Sequence, residues 1–210
     1  MRKTTLKEKR DESIRRIMDA ATEIFADAGF AGARVDEIAK RAGVNKAMIY
    51  YRIGDKEVLY TEVLHHVFRD TAERIALNIK EGQSPEEKLR MYIRNLIITS
   101  ELQPHMPSIM MREFSSGGRN LPKVVANDFT RMLDILLNII KEGWTKGVFI
   151  KTNPLIPHMM AVGAMVFYRA SMPLMEKYFE PLEEIMDLDK QFSKGMVQEI
   201  EKLILRAMRK

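Results

Sequence analysis

Apolar residues three and four apart recur along almost the whole chain, and no stretch alternates apolar and polar as a half-buried strand would. Ile14, Ile17, Met18, Ala21, Ile24, Phe25 and Ala28 share one face and predict a helix over about 11–28, with Gly29 as its left-handed stop. Val35, Ile38, Ala39 and Ala42 predict a short helix closed by Gly43; Asn45 caps a third that ends near Gly54, and Asp55 caps a fourth running to about Lys80 with Val58 and Leu59 on its apolar side. Ser84-Pro85-Glu86-Glu87 reads as a capping box opening a helix to about Leu102. Pro104 and Pro107 interrupt, a short helix covers Ser108 to Ser115, and Pro122 to about Lys146 is a long one. The last two span about 154–178, bent at Pro173, and 190–208. The expected fold is all-α with about nine helices, without repeats or low-complexity tracts.

Charge is distributed unevenly. Residues 1–16 carry seven Lys or Arg against three acids, whereas residues 61–210 carry 21 against 19. A basic arm on a near-neutral body suits a polyanion, although basic termini are often simply solvated. The chain lacks cysteine, which excludes disulfides and thiolate metal sites. The basic, polar start has no apolar stretch behind it, and no run approaches a membrane span, so the expectation is a cytoplasmic protein without membrane contact.

The segment 29–60 is the most informative. Two short helices meet at a tight Ala42-Gly43-Val44 turn, Ala39 is small enough for close packing, and Val44 and Ile49 anchor the second helix. Lys46, Ala47, Met48, Tyr50, Tyr51 and Arg52 are left on or near its outer face, the layout of a helix-turn-helix whose second helix enters the major groove. The alternative is a plain helical hairpin within a bundle, with Tyr50 and Tyr51 as core or surface aromatics. Gly29-Phe30, Val35-x-x-Ile38-Ala39, Ala42-Gly43-Val44, Lys46, Ile49-Tyr50-Tyr51 and Lys56-Glu57-x-Leu59 resemble the DNA-binding domain of the tetracycline-repressor (TetR) family over about residues 11–60. Beyond that, the likeness covers only length, helix count and layout.

The resemblance implies a DNA-binding domain over 1–60, a connecting helix at 55–80, and a ligand-binding and dimerisation domain over 61–210. It implies DNA contacts from Arg34, Asn45, Lys46, Ala47, Met48, Tyr50, Tyr51, Arg52 and Lys56, with Tyr50 and Lys56 at positions that usually touch phosphates. The sequence departs from the family where Ala33-Arg34 replace a hydroxyl residue, so the second helix loses a usual cap. Arg52 stands where a third aromatic is common, and Met48 where a small or hydroxylated residue is common, which suits contact with a thymine methyl.

Residues 81–180 are rich in Met and aromatic residues. An ordinary core explains any one of them; a family-like cavity implies a largely apolar effector, aromatic or amphipathic, bounded by Met91, Arg94, Met110, Met111, Phe114, Trp144, Met165, Tyr168 and Arg169. Arg112, Glu113 and His105 are further polar candidates, with Arg112–Glu113 alternatively a structural ion pair. The family implies a homodimer built by the last two helices, with the stripe Phe192, Met196, Ile200, Leu203, Ile204 and Ala207 at the interface; packing within the monomer is the alternative. His65, His66, His105 and His158 lack metal-site spacing, and no catalytic triad, phosphate loop or cofactor fingerprint occurs, so neither a metal, a cofactor nor an enzyme is expected. The expected function is a ligand-responsive regulator of operator DNA, a repressor released by its effector. The rivals are a ligand-independent regulator and an enzyme using the apolar pocket.

Overall fold

The computed structural model describes residues 6–79, 83–178, 195 and 198–210. Helix α1 (Leu6–Gly32) begins before Asp11 and continues one turn past Gly29, which breaks it at φ 69° and ψ 174°. Then follow α2 (Val35–Ala42), α3 (Lys46–Arg52), α4 (Lys56–Asn78) and α5 (Pro85–Leu102). After these come α6 (Met106–Ser115), α7 (Lys123–Thr145) and α8 (Leu155–Tyr178). A ninth helix, α9, covers 198–208 among the described residues. The fold is all-α; the one β-like feature among the described residues is an isolated antiparallel bridge between Phe149 and Arg209.

Local chemistry sets most of these ends. Asn45 Oδ1 accepts from the Ala47 amide at 2.8 Å, and Asp55 Oδ1 from the Val58 amide at 2.9 Å. At α5 the capping box is closed both ways, Ser84 Oγ accepting from Glu87 N and the Glu87 carboxylate accepting from Ser84 N. Such a cap contributes about 1 kcal/mol. Arg34 occupies the cap position of α2 with no side-chain cap. Pro107 does not interrupt a helix. It sits in the first turn of α6, where its missing N–H would be unpaired anyway, so α6 starts two residues before the predicted Ser108. Val58 is exposed rather than on the apolar side of α4, because the buried arc is centred on Leu59, Val63 and Val67.

Two cores meet along α4. The first packs α1–α3 and the opening of α4, from Leu59 to Val67, and takes in Met106, Ile109 and Met110 of α6 and Val125 of α7. The second gathers Ala72 and Ile75 of α4 with α5, α7, α8 and α9. Phe68 touches both. Ile204 of α9 is buried in the second core beside Leu205 and Met208, with Ile200 packed against it, whereas Leu203 and Ala207 face outward. The predicted interface stripe is therefore split, because Ile204 and Leu203 sit about 100° apart around the helix. Phe192 and Met196 lie outside the described residues. Buried Glu201 anchors α9 to α5 through ion pairs with both Arg90 and Arg94.

Candidate nucleic-acid interface and ligand cavity

Helix α3 is fixed from three sides. Gly43, at φ 63° and ψ 39°, turns the chain after α2 in a conformation that costs a Cβ-bearing residue energy. Ile49 is fully buried beneath the helix. Lys46 reaches back to Asp36 in the first turn of α2 at 2.8 Å, a hydrogen bond that lowers the Asp36 carboxyl and raises the Lys46 ammonium from their ordinary values. The residues opposite Ile49 are left outward: Ala47 and Tyr51 one turn apart, with Tyr51 86% exposed, flanked by Asn45 and Tyr50. Met48 is half-buried beside them.

Arg52 is half-buried, Lys46 stays exposed on α3 while paired with Asp36, and Lys56 stands at the start of α4. Arg52 follows Ile49 by three positions; its Nε is buried without a hydrogen-bond partner, and the residue borders both a groove with Asp11, Met18 and Glu62 and the hollow beside α3 with Asn45 and Met48. Lys46 is engaged by Asp36. Lys56 lies over the Phe30 ring at 4.7 Å and donates to the Ala31 carbonyl at 3.3 Å, fastening the start of α4 to the end of α1. Arg34 is exposed ahead of α2. Sequence reasoning passed over Ser13, Arg16 and Lys40, which border a surface hollow with Asn45 and Met48 beside α3. The signal for Arg16 was present in the basic N-terminal arm.

A cavity of about 90 Å³ lies between α4, α5, α6, α7 and α8. Of the nine predicted lining residues, Met110, Phe114 and Met165 border it. The other borders are Val67, Phe68 and Thr71 of α4, and Leu96, Thr99 and Ser100 of α5. Met106 and Pro107 come from α6, Phe129 and Met132 from α7, and His158, Val162 and Val166 from α8. Met91, Met111, Tyr168 and Arg169 are not among these borders. Arg94 is drawn to Glu201, and exposed Trp144 sits under the Lys151 ammonium at 4.7 Å, at the far end of α7. His105 is exposed ahead of α6. Arg112 and Glu113 do not pair with each other. Arg112 donates to the carbonyls of Ala26 and Asp27 at 3.1 and 2.6 Å, and buried Glu113 accepts from the Tyr60 hydroxyl at 2.7 Å.

His158 is the one cavity residue with an imidazole ring. It is 3% exposed, its Nδ1 is 2.8 Å from the Tyr92 hydroxyl, and burial pushes its pKa down to about 4. A histidine depressed below its unfolded value stabilises the fold fully above about pH 6.5, and this stability is lost as pH falls toward 4, because only the unfolded chain takes up the proton. The expected loss is about 3 kcal/mol between pH 7 and pH 4. Thermal melts across that range should fall more steeply for the wild type than for His158→Gln. Parallel curves would refute the neutral buried ring.

The family model described as "Bacterial regulatory proteins, tetR family" matches residues 17–63, from α1 through α3 to the start of α4. The transcriptional regulator RutR of Escherichia coli is 30% identical over 146 residues, 69% of this chain and 68% of that protein. The chain belongs to the tetR family. The transcriptional repressor NicS of Pseudomonas putida is 28% identical over 202 residues, 92% of this chain and 91% of that protein. A crystal structure of the regulator FadR from Bacillus subtilis, in complex with stearoyl-CoA, shares the fold at a TM-score of 0.68 and 20% identity, over 92% of this chain and 98% of that one. As a tetR-family member the protein is a DNA-binding transcriptional regulator. Among the described residues no group of His, Asp or Glu could hold a metal, and no helix is long and apolar enough to cross a membrane.

Proposed function

We propose that the protein is a dimeric cytoplasmic repressor, released from operator DNA when a small, largely apolar effector occupies the cavity between α4 and α8. Residues 1–60 form the DNA-binding domain in this reading, α4 is the connector, and residues 61–210 form the effector and dimerisation domain. Asn45, Ala47, Met48, Tyr50 and Tyr51 approach base edges and phosphates, with Arg34 on the flanking backbone and Arg52 at the edge of that face; Lys46 and Lys56 also hold the reading head together. The partner surface is the outward side of α8, where Ile156, Met159, Met160, Phe167, Leu174 and Tyr178 are exposed, extended by Leu203 and Ala207 of α9. Apolar side chains gathered this densely on one helix favour burial against a second copy.

One observation carries the proposal: α6 faces both regions. Met106, Pro107, Met110 and Phe114 border the cavity, while Arg112 grips the end of α1 and Glu113 holds Tyr60 of α4. Burial and the Glu113 hydrogen bond push the Tyr60 phenol far above its ordinary pKa, so it remains a donor. A ligand that displaces α6 must pull on both contacts. It shifts the DNA-binding equilibrium only by its differential affinity for the two arrangements.

Footprinting on the DNA flanking the gene, with and without extracted cell metabolites, tests the reading. Protection should be lost on adding extract. For Arg112→Ala, protection should persist and the release should shrink to under about three-fold, against a wild-type coupling on the order of 5–150-fold. Equal release in both proteins would remove α6 as the coupling element.

A further inference from the structure

The cavity assigned above as the effector site has a chemistry of its own. Among the described residues no Lys, Arg, Asp or Glu lines it. Its walls are hydrocarbon and thioether, and the four methionines 106, 110, 132 and 165 can re-pack around guests of differing shape. At about 90 Å³ it is smaller than the roughly 150 Å³ apolar cavity that admits benzene, so a guest must spread those methionines or displace Phe114, which is half-exposed.

Its polar groups are few and unevenly satisfied. Thr71 Oγ1 donates to the Val67 carbonyl at 2.7 Å, and Thr99 Oγ1 to the Asn95 carbonyl at 2.9 Å, so both hydroxyl protons are spent within their own helices. Ser100, 9% exposed on α5, does not follow them: its Oγ is buried and unpartnered. A buried hydroxyl without a partner is costly and calls for an explanation. His158 supplies the second group. The Tyr92 hydroxyl is itself buried and has no other acceptor among the described residues, so it donates to His158 Nδ1. In the neutral ring the proton then sits on Nε2, which becomes a donor.

We infer that the effector is an uncharged, mostly hydrocarbon molecule bearing one hydrogen-bond-accepting oxygen, a ketone, ester, lactone or alcohol, received by the Ser100 hydroxyl and His158 Nε2–H. The inference rests on the cavity being the effector site, and it narrows what that site takes. A carboxylate would also accept these bonds, but it would enter with no cation to offset its desolvation. An ammonium would meet two donors.

Matched probes on one scaffold decide the matter: 4-phenyl-2-butanone, butylbenzene, 3-phenylpropanoate and 3-phenylpropylammonium, each titrated at pH 7 by calorimetry and thermal shift against the full chain. The ketone is expected to bind at least about five-fold tighter than butylbenzene and at least about a hundred-fold tighter than either ion. Ser100→Ala removes an unpartnered group, so it should melt no lower than wild type, bind butylbenzene unchanged, and lose most of the preference for the ketone. If the carboxylate or the ammonium binds as well as the ketone, the uncharged-ligand inference is overturned while the cavity still stands as a ligand site. If Ser100→Ala keeps the full ketone preference, the assigned receiving group is wrong. If no probe binds at millimolar concentration, the cavity fails as an effector site and both readings fall.

Discussion

Ala47→Glu is expected to weaken operator binding by at least about a hundred-fold while leaving the melting temperature nearly unchanged. Ala47 projects from the first turn of α3, on the side opposite buried Ile49 and one turn from Tyr51. In the DNA-bound dimer proposed above, that face would lie against bases and between phosphates, so a carboxylate there would meet a polyanion in each of two half-sites. A hundred-fold loss corresponds to about 2.7 kcal/mol across the two subunits, within reach of ordinary base-contact energies. Fold damage is not the cause, because an acid near a helix N-terminus is favoured by the helix dipole. Fluorescence anisotropy with operator duplex, paired with circular-dichroism melts, reads both quantities. Specific affinity within about three-fold of wild type would mean that α3 does not read DNA. Lys46→Ala is a poorer test, since it also leaves Asp36 without its partner at 2.8 Å.

Gly143→Ala is expected to destabilise the protein by about 3 kcal/mol or more, where the same change in an open helix gains roughly 1 kcal/mol. Gly143 lies near the end of α7, directly beneath the fully buried ring of Phe149. A Cβ there would run into Cδ2 of that ring and lie 2.6 Å from Cε2 and 2.7 Å from Cγ. The ring has no easy retreat. The amides of Val148 and Phe149 both donate to the Gly143 carbonyl, at 2.9 and 3.1 Å, closing a tight return. The next residue, Ile150, donates to the Met208 carbonyl at 2.8 Å, which ties the segment to α9. At 2–4 °C per kcal/mol for a chain of this size, the melting point should drop by roughly 6–12 °C. A melting point at or above wild type would show that Phe149 is not packed on α7 in this way.

The caps were legible because their causes lie within a few residues. Asn45, Asp55 and the Ser84–Glu87 box each satisfy amides two or three positions downstream, and Gly43 turns the chain by its own φ. The outward face of α3 was legible in part for the same reason: once Ile49 is inside, Ala47 and Tyr51 are outside. Arg52 was legible only in part because, three positions on from buried Ile49, it borders a groove made by α1 and α4 as well as the hollow beside α3. The cavity was mostly illegible. Richness in methionine marked a region, but Arg94 looked like an anchor only while Glu201, 107 residues away, was out of view. Ser100 and His158 are individually unremarkable polar residues on apolar helices.

The sequence by itself determined an all-helical chain, where most of its helices begin and end, and a reading head ahead of a larger body. These follow from hydrogen bonds and side-chain spacing within one or two turns, which any local stretch carries in full. Tertiary structure alone decided which way each helix is rotated about its axis, and therefore that α6 faces the cavity on one side and α1 and α4 on the other. It also decided that Ile204 turns inward and that Gly143 admits no side chain. Those outcomes depend on surfaces contributed from distant parts of the chain, and their complementarity exists only once the helices have met.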